Sequence, residues 1–262
     1  MARITGLYLL LLLLTAAACN KDKEVPNEII NINDDLQIII WEDLTNEERH
    51  LTFTVETITN QNCENYQFDY SLNQFAQQIN LSINQLSLQE ECQPGSAPAR
   101  QSIAIGELAP NNYNLELNLN NNEIVNPGRL LVSFSQYQII LDSDHGLIVP
   151  DKTLNRIPEQ TIWGYIGFND LNQESDVRID FENSMADLVR PHSLSSGYYG
   201  QFRLSELNEL TIRTEQEYRE QHNFLYEFGG NEQDLIAPLE NLRATYGEAI
   251  EIKLFTAKGT IL

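Results

Sequence analysis

Basic residues are scarce in this chain. Sixteen Lys and Arg stand against 38 Asp and Glu, for a formal net charge of −22. A protein that grips nucleic acid needs a basic patch to neutralise phosphates, so that partner class is excluded. Long apolar runs are also missing. The best is Leu7–Leu14, interrupted by Tyr8. It falls short of the roughly 20 residues that cross a bilayer as a helix. No Gly-x-Ser-x-Gly elbow, phosphate-binding glycine loop or His-Glu-x-x-His helix occurs, which removes the readable hydrolase, nucleotide and zinc-peptidase signatures. The four histidines, His50, His145, His192 and His222, are isolated from one another. With only three cysteines there is no paired Cys-x-x-Cys framework for structural metal.

What is present begins at the N-terminus. Arg3, the Leu7–Leu14 run and Ala16-Ala17-Ala18-Cys19 follow in the order of an export signal. This stretch resembles the signal peptide and lipobox of bacterial lipoproteins. The resemblance implies cleavage after residue 18 and a diacylglyceryl group on Cys19. Asn20-Lys21-Asp22-Lys23-Glu24 is similar to the export signals that follow the lipidated cysteine in Bacteroidota lipoproteins. That implies an outer-membrane protein, lipid-anchored and facing the cell exterior. Multi-chain acylation holds far better than one chain. Residues 19–33, polar and containing Pro26, read as a tether. In an oxidising compartment the two remaining cysteines, Cys63 and Cys92, are expected to pair. On the chain-entropy model that cross-link is worth about 3–4 kcal/mol.

From residue 34 to 150 the pattern is β. Leu36–Trp41 is a short apolar run. From His50 to Ile58, Leu51, Phe53 and Val55 alternate with Thr52, Thr54 and Glu56, and Tyr66–Tyr70 and Ile79–Ile83 repeat the period of two. Gln93–Pro98 reads as a loop and Arg129–Leu141 as one long final strand. Leu108-Ala109-Pro110-Asn111-Asn112-Tyr113 resembles the corner of transthyretin-like and immunoglobulin-like sandwiches, with Asn111 where glycine is usual. Asn tolerates left-handed backbone, so the exchange is mild. About seven short strands are expected, an all-β sandwich of immunoglobulin-like type.

Asp151–Glu159 reads as the joint, and residues 151–262 change character. Thr161–Phe168 is an aromatic strand. Val177, Phe181, Met185 and Leu188 then fall at helical spacing, with Pro191 as the stop. A strand Tyr198–Leu204, a short strand within Glu209–Arg213, a strand Asn223–Phe228, a helix to Tyr246 and a strand Ala249–Phe255 complete the pattern. Glu215–Glu220 reads as a solvated charged segment between them. Two strand–helix–strand units in tandem predict a ferredoxin-like βαββαβ domain.

Such a sheet has helices on one face. Ile162, Ile166 and Phe168 are expected beneath them, turning Trp163 and Tyr165 to the other side. Phe255 would join those two, along with either Tyr198 and Phe202 or Tyr199 and Arg203. Trp163, Tyr165, Tyr199 and Phe255 are therefore the candidate ligand or partner face, with packing against the β-sandwich or a second copy as the plainer reason for so apolar a cluster. Asp142-Ser143-Asp144-His145-Gly146 is the candidate metal loop, with Asp142 and Asp144 as calcium ligands, although a tight turn explains the same residues. No other cofactor is expected. Ser193, Ser195 and Ser196 beside His192 read as a plain loop. The role expected is non-catalytic: binding or scaffolding, as accessory to a protein partner in the envelope. Glycan or peptide capture by the aromatic face is a second reading, and an enzyme with dispersed residues a third.

Overall fold

The alternation that marks β1 (Leu36–Leu44) and β2 (Arg49–Cys63) in sequence sends Leu36, Ile38, Ile40, Leu51, Phe53 and Val55 to one side, where all are fully buried. Each such side chain contributes roughly 1.5–3 kcal/mol by leaving water. The computed structural model in which this is seen describes residues 35–262 apart from 46, 47, 89 and 215. The expected leader, Cys19, the tether and Glu215 lie outside the described residues.

The strands that follow are β3 (Tyr66–Phe75), β4 (Gln78–Leu88), β5 (Pro94–Gly106), β6 (Asn111–Leu119), β7 (Ile124–Val132), β8 (Gln136–Leu141), β9 (Leu147–Ile148) and β10 (Thr153–Asn155). They form two sheets, ordered β5-β2-β1-β9 and β10-β8-β7-β6-β4-β3. Residues from both sheets share one hydrophobic core. The chain crosses from β4 to β5 in the other sheet and returns to pair β6 parallel to β4. Cys63, at the end of β2, is bonded to Cys92, just ahead of β5. Tyr113 is buried and donates its hydroxyl to the Ala109 carbonyl at 2.9 Å, the bond that defines a tyrosine corner.

Three expectations for this half need correction. Gln93–Pro98 is not a loop, because β5 starts at Pro94. As the edge strand, β5 can accommodate Pro94 and Pro98 opposite Cys63 and Asn60 with little loss of ladder bonding. Arg129–Leu141 is not one strand, since Ser133 caps a turn that folds β8 back on β7. Asn111 does not enter the left-handed region; its side chain instead accepts from the Asn112 amide at 2.8 Å. The first sheet pair also runs past Pro150: β10, inside the expected joint, pairs with β8 and buries Leu154 in the shared core.

The second half contains β11 (Thr161–Phe168), α1 (Glu174–Met185), β12 (Arg190–Pro191), β13 (Gly197–Tyr198), β14 (Phe202–Leu204), β15 (Leu210–Ile212), β16 (Glu220–Glu227), α2 (Gln233–Tyr246) and β17 (Ile250–Thr256). Glu174 and Asp176 favour the start of α1 through the helix dipole. Pro238 falls in the second turn of α2, near enough to its start to leave the helix continuous. The main sheet is ordered β12-β16-β11-β17 with every pairing antiparallel. Both helices pack on one of its faces, burying Val177, Phe181, Met185, Leu235, Leu239 and Leu242 against Ile162, Ile166 and Phe168. Leu188 lies beyond the last turn of α1 and packs only partly. β13, β14 and β15 form a separate three-stranded sheet. Tyr198–Leu204 is thus a hairpin, with Tyr199–Gln201 as its turn, rather than one strand of the main sheet.

The candidate site: a cleft between the two halves

The face of β11 turned away from the helices is not open. Trp163 and Tyr165 are 2 % and 4 % exposed, in a core separate from the helical one. The strand phase is therefore as expected, but the small β13–β15 sheet covers that face. Tyr199 is also 4 % exposed and stacks on Phe202 at 4.8 Å, while Phe255 stacks on Trp163 at 5.9 Å. Neither expected pairing of the 198–203 side chains holds, because the hairpin turn interrupts alternation. Tyr199 and Phe202 point inward together, and Tyr198 and Arg203 share the other side. The four aromatics proposed as a ligand face are structural.

The remaining candidates resolve as follows. Asp142 and Asp144 are exposed in a turn organised by the buried Asn126, whose side chain donates to the His145 carbonyl at 3.0 Å and accepts from its amide at 2.8 Å. Among the described residues no group of three or more His, Cys, Asp or Glu gathers to hold a metal. His192 Nε2 lies 3.1 Å from Thr161 Oγ1 rather than against a serine. Ser195 is engaged through its carbonyl, which accepts the Tyr199 hydroxyl at 2.8 Å. Thr161, the hydroxyl that meets His192, is fully buried.

A different place combines aromatic, polar and cationic groups. A cleft of about 780 Å³ lies between the outer face of β1, β2 and β5 and the β13–β15 sheet, within the size range of small-ligand sites. On β1, Ile39 and Trp41 alternate outward while Ile38 and Ile40 enter the core. The indole N–H of Trp41 donates to Thr54 Oγ1 at 3.0 Å, and Thr54 in turn lies 3.1 Å from Ser102 Oγ. On the opposing wall, Arg203 holds both carboxylate oxygens of Asp151, at 2.7 and 2.6 Å, and its guanidinium sits 5.1 Å from the centre of the Tyr198 ring. Burial, and secondarily Asp151, raises the pKa of the Tyr198 hydroxyl and keeps it protonated. Arg100 and Arg213 complete the cationic lining.

The two walls are fastened to each other. Gly200 has φ +78° and lies against Trp41, so a side chain there would be strained and crowded at once. Glu42, buried in β1, accepts from Tyr137 at 3.1 Å and from Arg156 at 3.0 Å. Arg49 lies 3.5 Å from the same carboxylate and donates to the carbonyls of Ile157 and Ala257 in the second half. Burial and the adjacent Glu42 carboxylate push the Tyr137 hydroxyl far above its ordinary range, so it acts as a fixed donor. A buried carboxylate shared by two arginines ties the orientation of the halves to their chemistry.

Nothing in the motif inventory pointed to this cleft. The available signal was Ile39 and Trp41: apolar residues at the outward positions of a strand mean that its outer face is also covered. No protein-family model matches the chain, no curated protein matches it significantly, and no solved structure matches its fold significantly.

Proposed function

We propose that the chain is an outward-facing lipoprotein of the outer membrane, anchored at Cys19, with a non-catalytic binding role centred on the cleft between its two halves. The anchor is supported by the order Arg3, Leu7–Leu14, Ala16-Ala17-Ala18-Cys19. One observation carries the binding role: the cleft sets a partly exposed Trp41 beside hydroxyl, amide and guanidinium groups, with no nucleophile–base pair among its lining residues. That composition is suited to holding a polar ligand rather than transforming it.

The fold reading that accompanies this is an immunoglobulin-like sandwich followed by a ferredoxin-like βαββαβ domain. The Tyr113–Ala109 corner supports the first. The order β12-β16-β11-β17, with both helices on one face, supports the second, and β13–β15 would then be an insertion between its second and third strands. Because β10 belongs to the first sheet pair, the proposed boundary falls after Asn155 rather than at residue 151.

The test uses cells producing the full chain. Wild type should incorporate labelled palmitate and retain a soluble glycan or peptide from an array without turning it over. Cys19→Ala should be released from membranes, and Trp41→Ala should stay anchored but lose retention. Turnover of a retained compound, or full retention by Trp41→Ala, would refute the reading.

A further inference from the structure

Resting on that reading of the cleft, we infer that its ligand is an acidic oligosaccharide, one whose sugar units carry carboxylates. Charge is the first ground. The chain bears a net −22, yet the cleft sets Arg100, Arg203 and Arg213 against a single carboxylate, Asp151. Three of only 16 basic residues are gathered there. Such a concentration inside an acidic surface draws anions locally, because screening confines the surrounding repulsion to about 8 Å at physiological salt.

The three arginines are not equivalent. Arg203 is already held by Asp151 and serves as a flat platform on Tyr198. Arg100 and Arg213 are exposed, stand on opposite walls and form no ion pair among the described residues. Glu56 lies opposite Arg100 in the β2–β5 ladder without bridging to it. Two uncommitted guanidinium forks match two carboxylates along a chain, since the planar fork suits bidentate binding.

The rest of the lining selects a saccharide. The indole N–H of Trp41 is satisfied by Thr54, so the ring face is what Trp41 offers, and sugar rings present apolar C–H faces to such a surface. Gln37, Ser102, Gln201 and Thr211 add hydroxyl and amide partners for sugar hydroxyls. A peptide bound by strand addition would need a free strand edge, whereas the floor at Thr54 is a sheet face, with β2 paired to β1 on one side and to β5 on the other.

Calorimetry on the full chain provides the test, with tetramers of galacturonate, glucuronate and guluronate set beside neutral tetramers of galactose and glucose. At least one uronate should bind and weaken as salt rises. Arg100→Ala with Arg213→Ala should cost about tenfold or more in affinity, with an unchanged melting temperature because both side chains are exposed. Failure of every uronate, or undiminished uronate binding by the double variant, overturns the inference. If only neutral tetramers bind and Trp41→Ala abolishes it, the charge assignment falls while the binding cleft stands. If no tetramer of either kind binds, the saccharide assignment falls, and the array comparison of wild type with Trp41→Ala decides whether the binding cleft stands.

Discussion

The two faces of the β12-β16-β11-β17 sheet are both buried, by layers of opposite kinds. Every residue of the central strand β11 is buried, so neither face is open to solvent there. Helices cover one side with aliphatic residues and Phe181. Three strands of two or three residues, with the turn that joins the first two, cover Trp163 and Tyr165 on the other side with Tyr199, Phe202, Leu204 and Ile212. Each face also has one glycine of β11 beneath an incoming ring, Gly164 under Phe224 and Gly167 under Tyr218. The difference lies in the backbone. A helix satisfies its own carbonyls, whereas the edge strand β15 leaves carbonyls turned toward the main sheet. Side chains of β16 meet them: Asn223 donates to the Leu210 carbonyl at 2.9 Å and Gln221 to that of Ile212 at 3.4 Å. The short β layer therefore relies on amide side chains of the main sheet to satisfy its own carbonyls. On the helical side a helix side chain, Arg243, instead reaches a carbonyl of the sheet, that of Ile252, at 2.8 Å.

Truncating one aromatic on each side separates the layers most strongly. Phe181 is fully buried, 4.7 Å from Phe224, and Phe181→Ala should cost about 3–5 kcal/mol. Both helices depend on that core, so hydrogen exchange should accelerate throughout residues 161–262. Trp163→Ala removes contacts with Phe202 at 5.4 Å and with Phe255, and should cost about 3 kcal/mol. Here the loss should concentrate in residues 197–212, with α1 and α2 still protected. Equal loosening of the helices in both variants would mean that the layers are not independent.

The same contrast explains what could be read without coordinates. Strand phase was legible, because period-two alternation in β11 assigns Ile162, Ile166 and Phe168 to one side and Trp163 and Tyr165 to the other. The cover over Trp163 was not: the short strand expected within Glu209–Arg213 is found at Leu210–Ile212, but strands of two or three residues carry too little period to show which face they pack on. A hairpin turn at Tyr199–Gln201 also reverses phase within what scans as a single strand. β5 was hidden by Pro94 and Pro98, whose loop signal gives way at an edge strand. The cleft escaped for a related reason. Its walls come from distant parts of the chain, Trp41 and Arg100 on one side and Arg203 and Arg213 on the other, and no local spacing joins them.

A smaller effect distinguishes how the layers are held. Asn223→Ala deletes the amide that reaches the Leu210 carbonyl and leaves that acceptor half-buried beneath the hairpin. The expected cost is about 1–2 kcal/mol, read as a lower urea midpoint with an unchanged denaturant slope. The helix-side counterpart is Arg243 of α2, whose guanidinium donates to the Ile252 carbonyl of β17 at 2.8 Å. If Asn223→Ala is neutral, the polar bridge between the sheets contributes nothing and the insertion is held by its aromatics alone.

The least costly change tests the faces by acidity. His222 shares its side of β16 with Phe224 and Tyr226, toward α1. Burial lowers its pKa below the ordinary 6.5, Arg178 lowers it further, and Glu182 and Glu174 oppose the shift without cancelling it. The unfolded chain therefore takes up a proton near pH 6.5 that the folded chain still refuses. By linkage, the stability contributed by the neutral ring is fully present above the unfolded value and is lost as the pH falls through the folded one. Urea titrations of wild type and His222→Asn at pH 7.5, 6.5 and 5.5 should show a gap that favours wild type least at the lowest pH. The Asn223→Ala variant, altered on the opposite face, should run parallel to wild type across the series. A constant difference between wild type and His222→Asn would mean that the ring charges freely in the folded protein, leaving the helix-covered face no more sensitive to acid than the other.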